Sequence, residues 1–191
     1  MSTPASSSSP LLQFVLARAH QRYLPLLGRR FPSGNDVPLP VSDVTVNSGA
    51  VLILRDVLEM DSVRTGMMFG RRMAAHLSVT HITAGGYDGQ TPLFAVNADY
   101  ALGVTDALRQ VDASIDWTGQ WLTVPGDAFA PRRQQAAWAE LAQREGLLSL
   151  HHPLLIIGWC EGTLVARSII TTGDQEEELA ARTVLLTPEV Q

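Results

Sequence analysis

The chain contains no lysine; its 14 basic side chains are all arginine. Schiff-base catalysis, pyridoxal phosphate attachment and the phosphate-binding lysine of a Walker loop each require an ε-amine. Arginine cannot replace it, because the guanidinium stays protonated and is no nucleophile. Cysteine is almost as scarce. The single Cys160 excludes an intramolecular disulfide and any multi-cysteine zinc site, and a reducing, cytoplasmic location is the default expectation. Long apolar runs are missing too: none approaches the ~18 to 20 residues of a membrane span, so no membrane partner is expected. Residues 1–9, Met1-Ser2-Thr3-Pro4-Ala5 followed by Ser6 to Ser9, lack the basic start and apolar stretch of a secretory signal. No internal repeat is present, and no glycine-rich phosphate fingerprint follows a strand-like segment.

What is present is ordinary globular material. With 191 residues, 46% of them hydrophobic and 17% charged, the chain can bury a real core in one domain or at most two small ones. Its formal net charge of -5 argues against nucleic acid, since phosphate neutralisation demands a basic excess on some face. The pairs Arg29-Arg30, Arg71-Arg72 and Arg132-Arg133 read as solvated helix ends or as a local anion-binding patch.

Residues 1–9 are expected to be a disordered serine-rich tail, and residues 10–40 an N-terminal helix with its linker. Ser9-Pro10 resembles a helix start, Leu12, Val15, Leu16, Ala19 and Tyr23 fall near one helical face, and Pro25 must end or kink the helix. A single α+β domain is expected over 41–191. In it, Val44-Thr45-Val46, Asn47-Ser48-Gly49 and Ala50 to Leu54 read as strand, turn and buried strand. Residues 63–77 keep roughly helical spacing through Val63, Met67, Met73 and Leu77. Gly66 and Gly70 leave a hairpin turning at Thr65-Gly66 as the alternative. Strands are expected over Ser78 to Thr83, Pro92 to Leu102 and Ser114 to Val124, and a helix over Gln134 to Arg144, entered at Pro131 and stopped by Gly146. The C-terminal third reads as a meander: Leu154 to Cys160, a turn at Glu161-Gly162, Thr163 to Thr172, then Arg182 to Thr187. Strands linked so closely must pair antiparallel. The expected fold is therefore α+β, an antiparallel sheet with a C-terminal meander packed against two or three helices.

The order of these elements is similar in outline to chorismate-lyase-like and hotdog-like domains. No motif of either can be matched residue by residue, so the outline assigns no family.

Arg55 closes the most hydrophobic segment, where one of Arg55 and Asp56 would point inward on a strand; an inward arginine suits bidentate capture of a carboxylate or phosphate. Asn97 and Asp99 would share one face of their strand beside the loop Gly85 to Gly89 and could line a pocket with it. Cys160 and Glu161 form a secondary candidate where a buried strand meets a turn. His151 and His152 lie at the far end of that strand, so an activating histidine would have to be His76 or His81. A small buried thiol explains the same letters. No His, Cys, Asp or Glu spacing matches a metal motif, and no cofactor is expected.

Two functions fit these residues. One is a small soluble domain that binds an anionic small molecule through Arg55, Asn97 and Asp99, with or without turnover. The other is a non-catalytic assembly subunit or homo-oligomer whose Trp117, Trp121, Trp138 and methionines contact a protein partner.

Overall fold

A computed structural model describes residues 39–60, 62–84, 93–94, 96, 98–171, 180–183 and 185–186. The expected tail and N-terminal helix, the Gly85 to Gly89 loop and Asn97 lie outside the described residues. The chain forms β1 (Asp43–Val46), α1 (Ser48–Leu58), β2 (Arg64–Met73), β3 (His76–Ala84), α2 (Ala98–Val111) and β4 (Asp116–Val124). It continues through α3 (Arg132–Arg144), β5 (Leu154–Cys160), β6 (Thr163–Ile170), β7 (Ala180–Thr183) and β8 (Leu185–Leu186). All eight strands join one sheet in the order β7-β6-β5-β4-β2-β3-β1-β8.

The fold is α+β, but its sheet is mixed. β2 with β3, β2 with β4, β5 with β6 and β6 with β7 pair antiparallel, whereas β1 with β3, β1 with β8 and β4 with β5 pair parallel. The rule that closely linked strands run in opposite directions holds for the hairpins. It does not reach β4 and β5, because residues 125–153 with α3 among them make a crossover long enough for a parallel return. The meander is correct for β5, β6 and β7 only, since β8 leaves to pair with β1 at the opposite edge. Its first turn is the expected Glu161-Gly162, with φ of 51° and 75°, the left-handed pair a two-residue hairpin requires.

Helices cover both sheet faces, and each face has its own core. α2 and α3 pack over Met67, Phe69, Trp117, Leu122, Leu154, Ile156 and Ile169, the first core. α1 packs over Met68, Leu77, Val79, Trp121, Leu155, Ile157 and Ile170, the second. This two-sided burial explains three departures from the sequence expectations. Residues 48–58 are a helix and not a second strand: Asn47 is the N-cap, its Oδ1 accepting the Ala50 amide at 2.9 Å, and Ala50, Val51, Leu54, Val57 and Leu58 return at helical spacing. Residues 64–73 are a strand and not a helix, because Met67 and Phe69 enter one core while Met68 enters the other, which erases the usual alternation. Its hairpin turns at Ala74-Ala75 and not at Thr65-Gly66. Finally, residues 98–111 form a helix where the tail of a strand was expected, with Ala101, Val104, Thr105 and Leu108 buried or half-buried at three- and four-residue spacing.

β4 and the helix over 132–144 match expectation, with one refinement each. In β4, Phe69 pairs with Trp117 but Met68 with Gly119, so Thr118 is an extra, bulged residue. The bulge sends Trp117 into the first core and Trp121 into the second, although a regular strand would place both on one face. Gly119 sits at φ 153°, and a Cβ there would lie 2.4 Å from the Pro153 carbonyl oxygen, so no other residue fits. In α3 the inward side is Gln135, Trp138, Ala139, Leu141 and Ala142, while Ala137 faces water; Gly146 at φ 74° follows the helix end as expected.

Asn47→Ala removes the cap of the helix that seals the second core. Equilibrium urea unfolding should show a loss of about 1 kcal/mol, and Asn47→Asp should retain most of the stability. Equal midpoints for Asn47→Ala and the parent would show that the Asn47 cap contributes nothing.

Candidate anion-binding site

The residues first expected to form a ligand site are not brought together. Arg55 lies on the exposed side of α1, over one sheet face, and Asp99 is in the first turn of α2, over the other. Asn97 lies outside the described residues. Strand alternation would turn one of Arg55 and Asp56 inward; on a helix both fall on the outer surface. Cys160 and Glu161 sit at the β5–β6 turn, and the thiol is exposed where a buried one was expected. β4 and β2 separate β5 from β3, which carries both His76 and His81, so neither histidine is adjacent to the Cys160 strand. His76 instead meets Asp43 through Nδ1 at 2.7 Å, and His81 Nδ1 lies 2.9 Å from its neighbour Thr80 Oγ1. Among the described residues, no group of three His, Cys, Asp or Glu side chains could hold a metal ion.

Two polar corners emerge instead. The first surrounds Arg72. Its guanidinium donates to the carbonyls of Leu39, Ala74 and His151, which pins the start of the described chain, the β2–β3 turn and the segment before β5 to one another. Arg71, adjacent and therefore on the opposite side of the strand, pairs with Asp112. Next to Arg72, His152 stacks on Trp117 with ring centroids 4.3 Å apart. Ser149 Oγ accepts the amides of His151 and His152 at 3.1 Å each and lies 3.1 Å from His152 Nδ1. With the oxygen's acceptor capacity taken by two amides, the hydroxyl proton points to Nδ1, and the neutral ring is the acceptor. A serine beside a histidine is thus a locked turn and not a nucleophile with its base. Burial, then the charges of Arg72 and His151, pulls the His152 imidazole down to about 4 from its ordinary 6.5.

The second corner surrounds Arg167, on the β6 face that carries Ile169 into the first core. Phe129 lies against Gly158 of β5, with its ring 3.2 Å from where a Cβ would be; the missing side chain is what admits the ring to the sheet surface. Arg167 extends over this ring, its guanidinium carbon 5.3 Å from the centroid. From α3, Gln135 supplies the other contact. It is 5% exposed, donates through Nε2 to the Ala130 carbonyl, and accepts from Arg167 Nη1 at 3.0 Å through Oε1. Both supports are electrically neutral, and among the described residues no carboxylate lies within ion-pair distance of Arg167. One turn back, Arg132 and Arg133 are exposed in the first turn of α3, which has no acidic residue, and the N-cap Pro131 supplies no side-chain cap. The sequence carried one sign of this corner: Val165, Arg167 and Ile169 alternate onto one face, so a charge interrupts an apolar row. Phe129 and Gln135 come from other elements, and nothing in their spacing points to Arg167.

Fold and corner together define an α+β protein with a mixed sheet and an arginine mounted on neutral supports. No family model matches the chain, and no curated protein matches it in sequence. Among solved structures, the chain is similar to the solution structure of protein DSY2949 from Desulfitobacterium hafniense, at a TM-score of 0.52 and 16% identity over 78% of this chain and 95% of that one. At that identity the likeness concerns the fold alone.

The locked imidazole makes stability depend on pH in one direction. The folded pKa of His152 lies below the unfolded one, so its contribution is complete above pH 6.5. Below that the unfolded state takes up the proton first, and stability falls until about pH 4, by on the order of 3 kcal/mol in all. Urea unfolding between pH 4 and 7 should show this slope in the parent and a shallower one in His152→Phe. Parallel slopes would mean that His152 is not held neutral.

Proposed function

We propose that this protein is a binding domain for a small molecule bearing a carboxylate or phosphate group, received at Arg167. The observation that carries the reading is a half-buried guanidinium fixed by Gln135 and Phe129, both neutral, with one donor hydrogen-bonded to Gln135 and its charge unmatched by a described carboxylate. A cation held in place before a ligand arrives binds an oxyanion with little loss of side-chain freedom, and a charge-assisted hydrogen bond there contributes about 1.5 to 3 kcal/mol. Arg132 and Arg133 add positive potential beside it. The anionic ligand expected at Arg55 is thus proposed for a different arginine.

Binding without turnover is favoured by what surrounds the nucleophile candidates. The Ser149 hydroxyl is committed to two amides and a ring nitrogen, and β4 and β2 stand between the Cys160 strand and the strand of His76 and His81. The partner-contact reading built on tryptophans loses support, because Trp117 and Trp121 are buried in the cores and Trp138 packs against the first.

Inorganic phosphate and succinate are the probes, followed by NMR on the parent, Arg167→Gln and Arg55→Gln. One of the two should saturate in the parent with a shift of the Arg167 Nε–H resonance, and bind about tenfold more weakly to Arg167→Gln. Arg55→Gln should behave as the parent. Identical titrations of the parent and Arg167→Gln would overturn the assignment, and which probe saturates separates a phosphate from a carboxylate ligand.

A further inference from the structure

α1 shows the solvent a side with apolar residues along one flank and charges of both signs along the other. Ala50, Val51, Leu54, Val57 and Leu58 turn inward and fill the second core. On the outer side Leu52 and Ile53 are 49% and 47% exposed, and Met60, just past the helix end, is 47% exposed. Arg55, Asp56 and Glu59 are exposed as well. At about 3.6 residues per turn, Ile53 and Met60 share one flank of this side and Arg55 and Glu59 the other, with Leu52 and Asp56 between them. The C-cap Glu59 keeps helical backbone angles, so the same phase carries on to Met60.

We infer that two copies of this chain pair through the outer side of α1, antiparallel about a twofold axis. Such a contact must be complementary to itself, and the order of these residues meets that condition. A twofold axis perpendicular to the two helices keeps like flanks together, so apolar meets apolar on one side and charge meets charge on the other. Setting Ile53 opposite the partner's Met60 fixes the axis between positions 56 and 57. That register brings Arg55 within one residue's rise, about 1.5 Å, of the partner's Glu59, and within two, about 3 Å, of the partner's Asp56. Both contacts occur twice. The apolar flank and the charged flank thus select the same alignment, whereas a parallel pair in register would set each charge beside its own kind. A guanidinium carries five donors, so contacts of Arg55 within its own chain leave others for the partner. The contact is small. α1 has 11 residues and is about 16 Å long, too short for the ~800 Å² per partner of a standard interface, and the dimer is accordingly weak, with a Kd on the order of 100 μM. α1 covers the sheet face opposite the one that carries Arg167, so pairing leaves both anion corners open and the inference does not depend on them.

Sedimentation equilibrium on the full chain, from about 10 μM to about 1 mM, tests it. The parent should pass from monomer toward dimer across that range, and associate more weakly at high salt than at low. Ile53→Glu and, separately, Arg55→Glu should each weaken the dimer at least about tenfold while the urea midpoint stays close to the parent's, because both side chains lie outside the core. Asp56→Arg with Glu59→Arg in one chain should also be monomeric alone. Mixed in equal amounts with Arg55→Glu, that double variant should form a heterodimer at least as tight as the parent dimer, since each of these contacts across the axis then joins opposite charges. A parent that is monomeric at every concentration, a dimer indifferent to Ile53→Glu, or a mixture that stays monomeric would each overturn the inference.

Discussion

Coverage of the sheet on both faces is the constraint from which the rest follows. From Trp117 to Val124 every residue of β4 is buried, and Leu154 to Gly158 of β5 likewise, so these neighbouring strands have no wet side. A sheet of that kind needs helices above and below it, and the connections must carry the chain from one face to the other. β1 delivers α1 to one side; β3 and β4 are followed by α2 and α3 on the other. The parallel pairing of β4 with β5 is the same fact viewed along the strands, because the helix that covers the sheet is also the crossover that reverses the chain's direction twice.

Two-sided burial also decides what could be read from the sequence. Where an element keeps a wet face, contrast survives: the helix over 132–144 alternates buried and exposed sides at helical spacing, and the Glu161-Gly162 turn is flanked by strands that emerge into solvent. Both were legible. Where the element is apolar on two sides, contrast vanishes. Ala50 to Leu54 is an unbroken apolar run whether it is a strand between two layers or a helix with an apolar outer face, and Asn47-Ser48-Gly49 serves equally as hairpin turn or helix cap. Met67, Met68 and Phe69 are uninterrupted for the converse reason, a strand dividing its side chains between two cores.

The site depended on that same ambiguity. Arg55 became a candidate because strand alternation would aim it, or its neighbour, inward; once residues 48–58 form a helix, that inference has no basis. The arginine that does sit against an apolar face, Arg167, differs from Val165 and Ile169 only by breaking their row. Its meaning comes from Gln135 and Phe129, which tertiary packing alone delivers. A guanidinium with no carboxylate at ion-pair distance among the described residues is a feature of packing in space, and such a feature leaves no trace in a linear pattern.

The bulge at Thr118 has a consequence for how this chain can vary through descent. Upstream of it Trp117, an odd-numbered position, faces the first core, and downstream the even-numbered Leu122 and Val124 do, so losing or gaining a residue at that point would exchange the surroundings of every earlier side chain in the strand. Substitution can be absorbed on either side; a change of length cannot. Relatives that share this sheet should therefore preserve the residue count of β4, and the glycine at 119, more strictly than the identity of its other side chains.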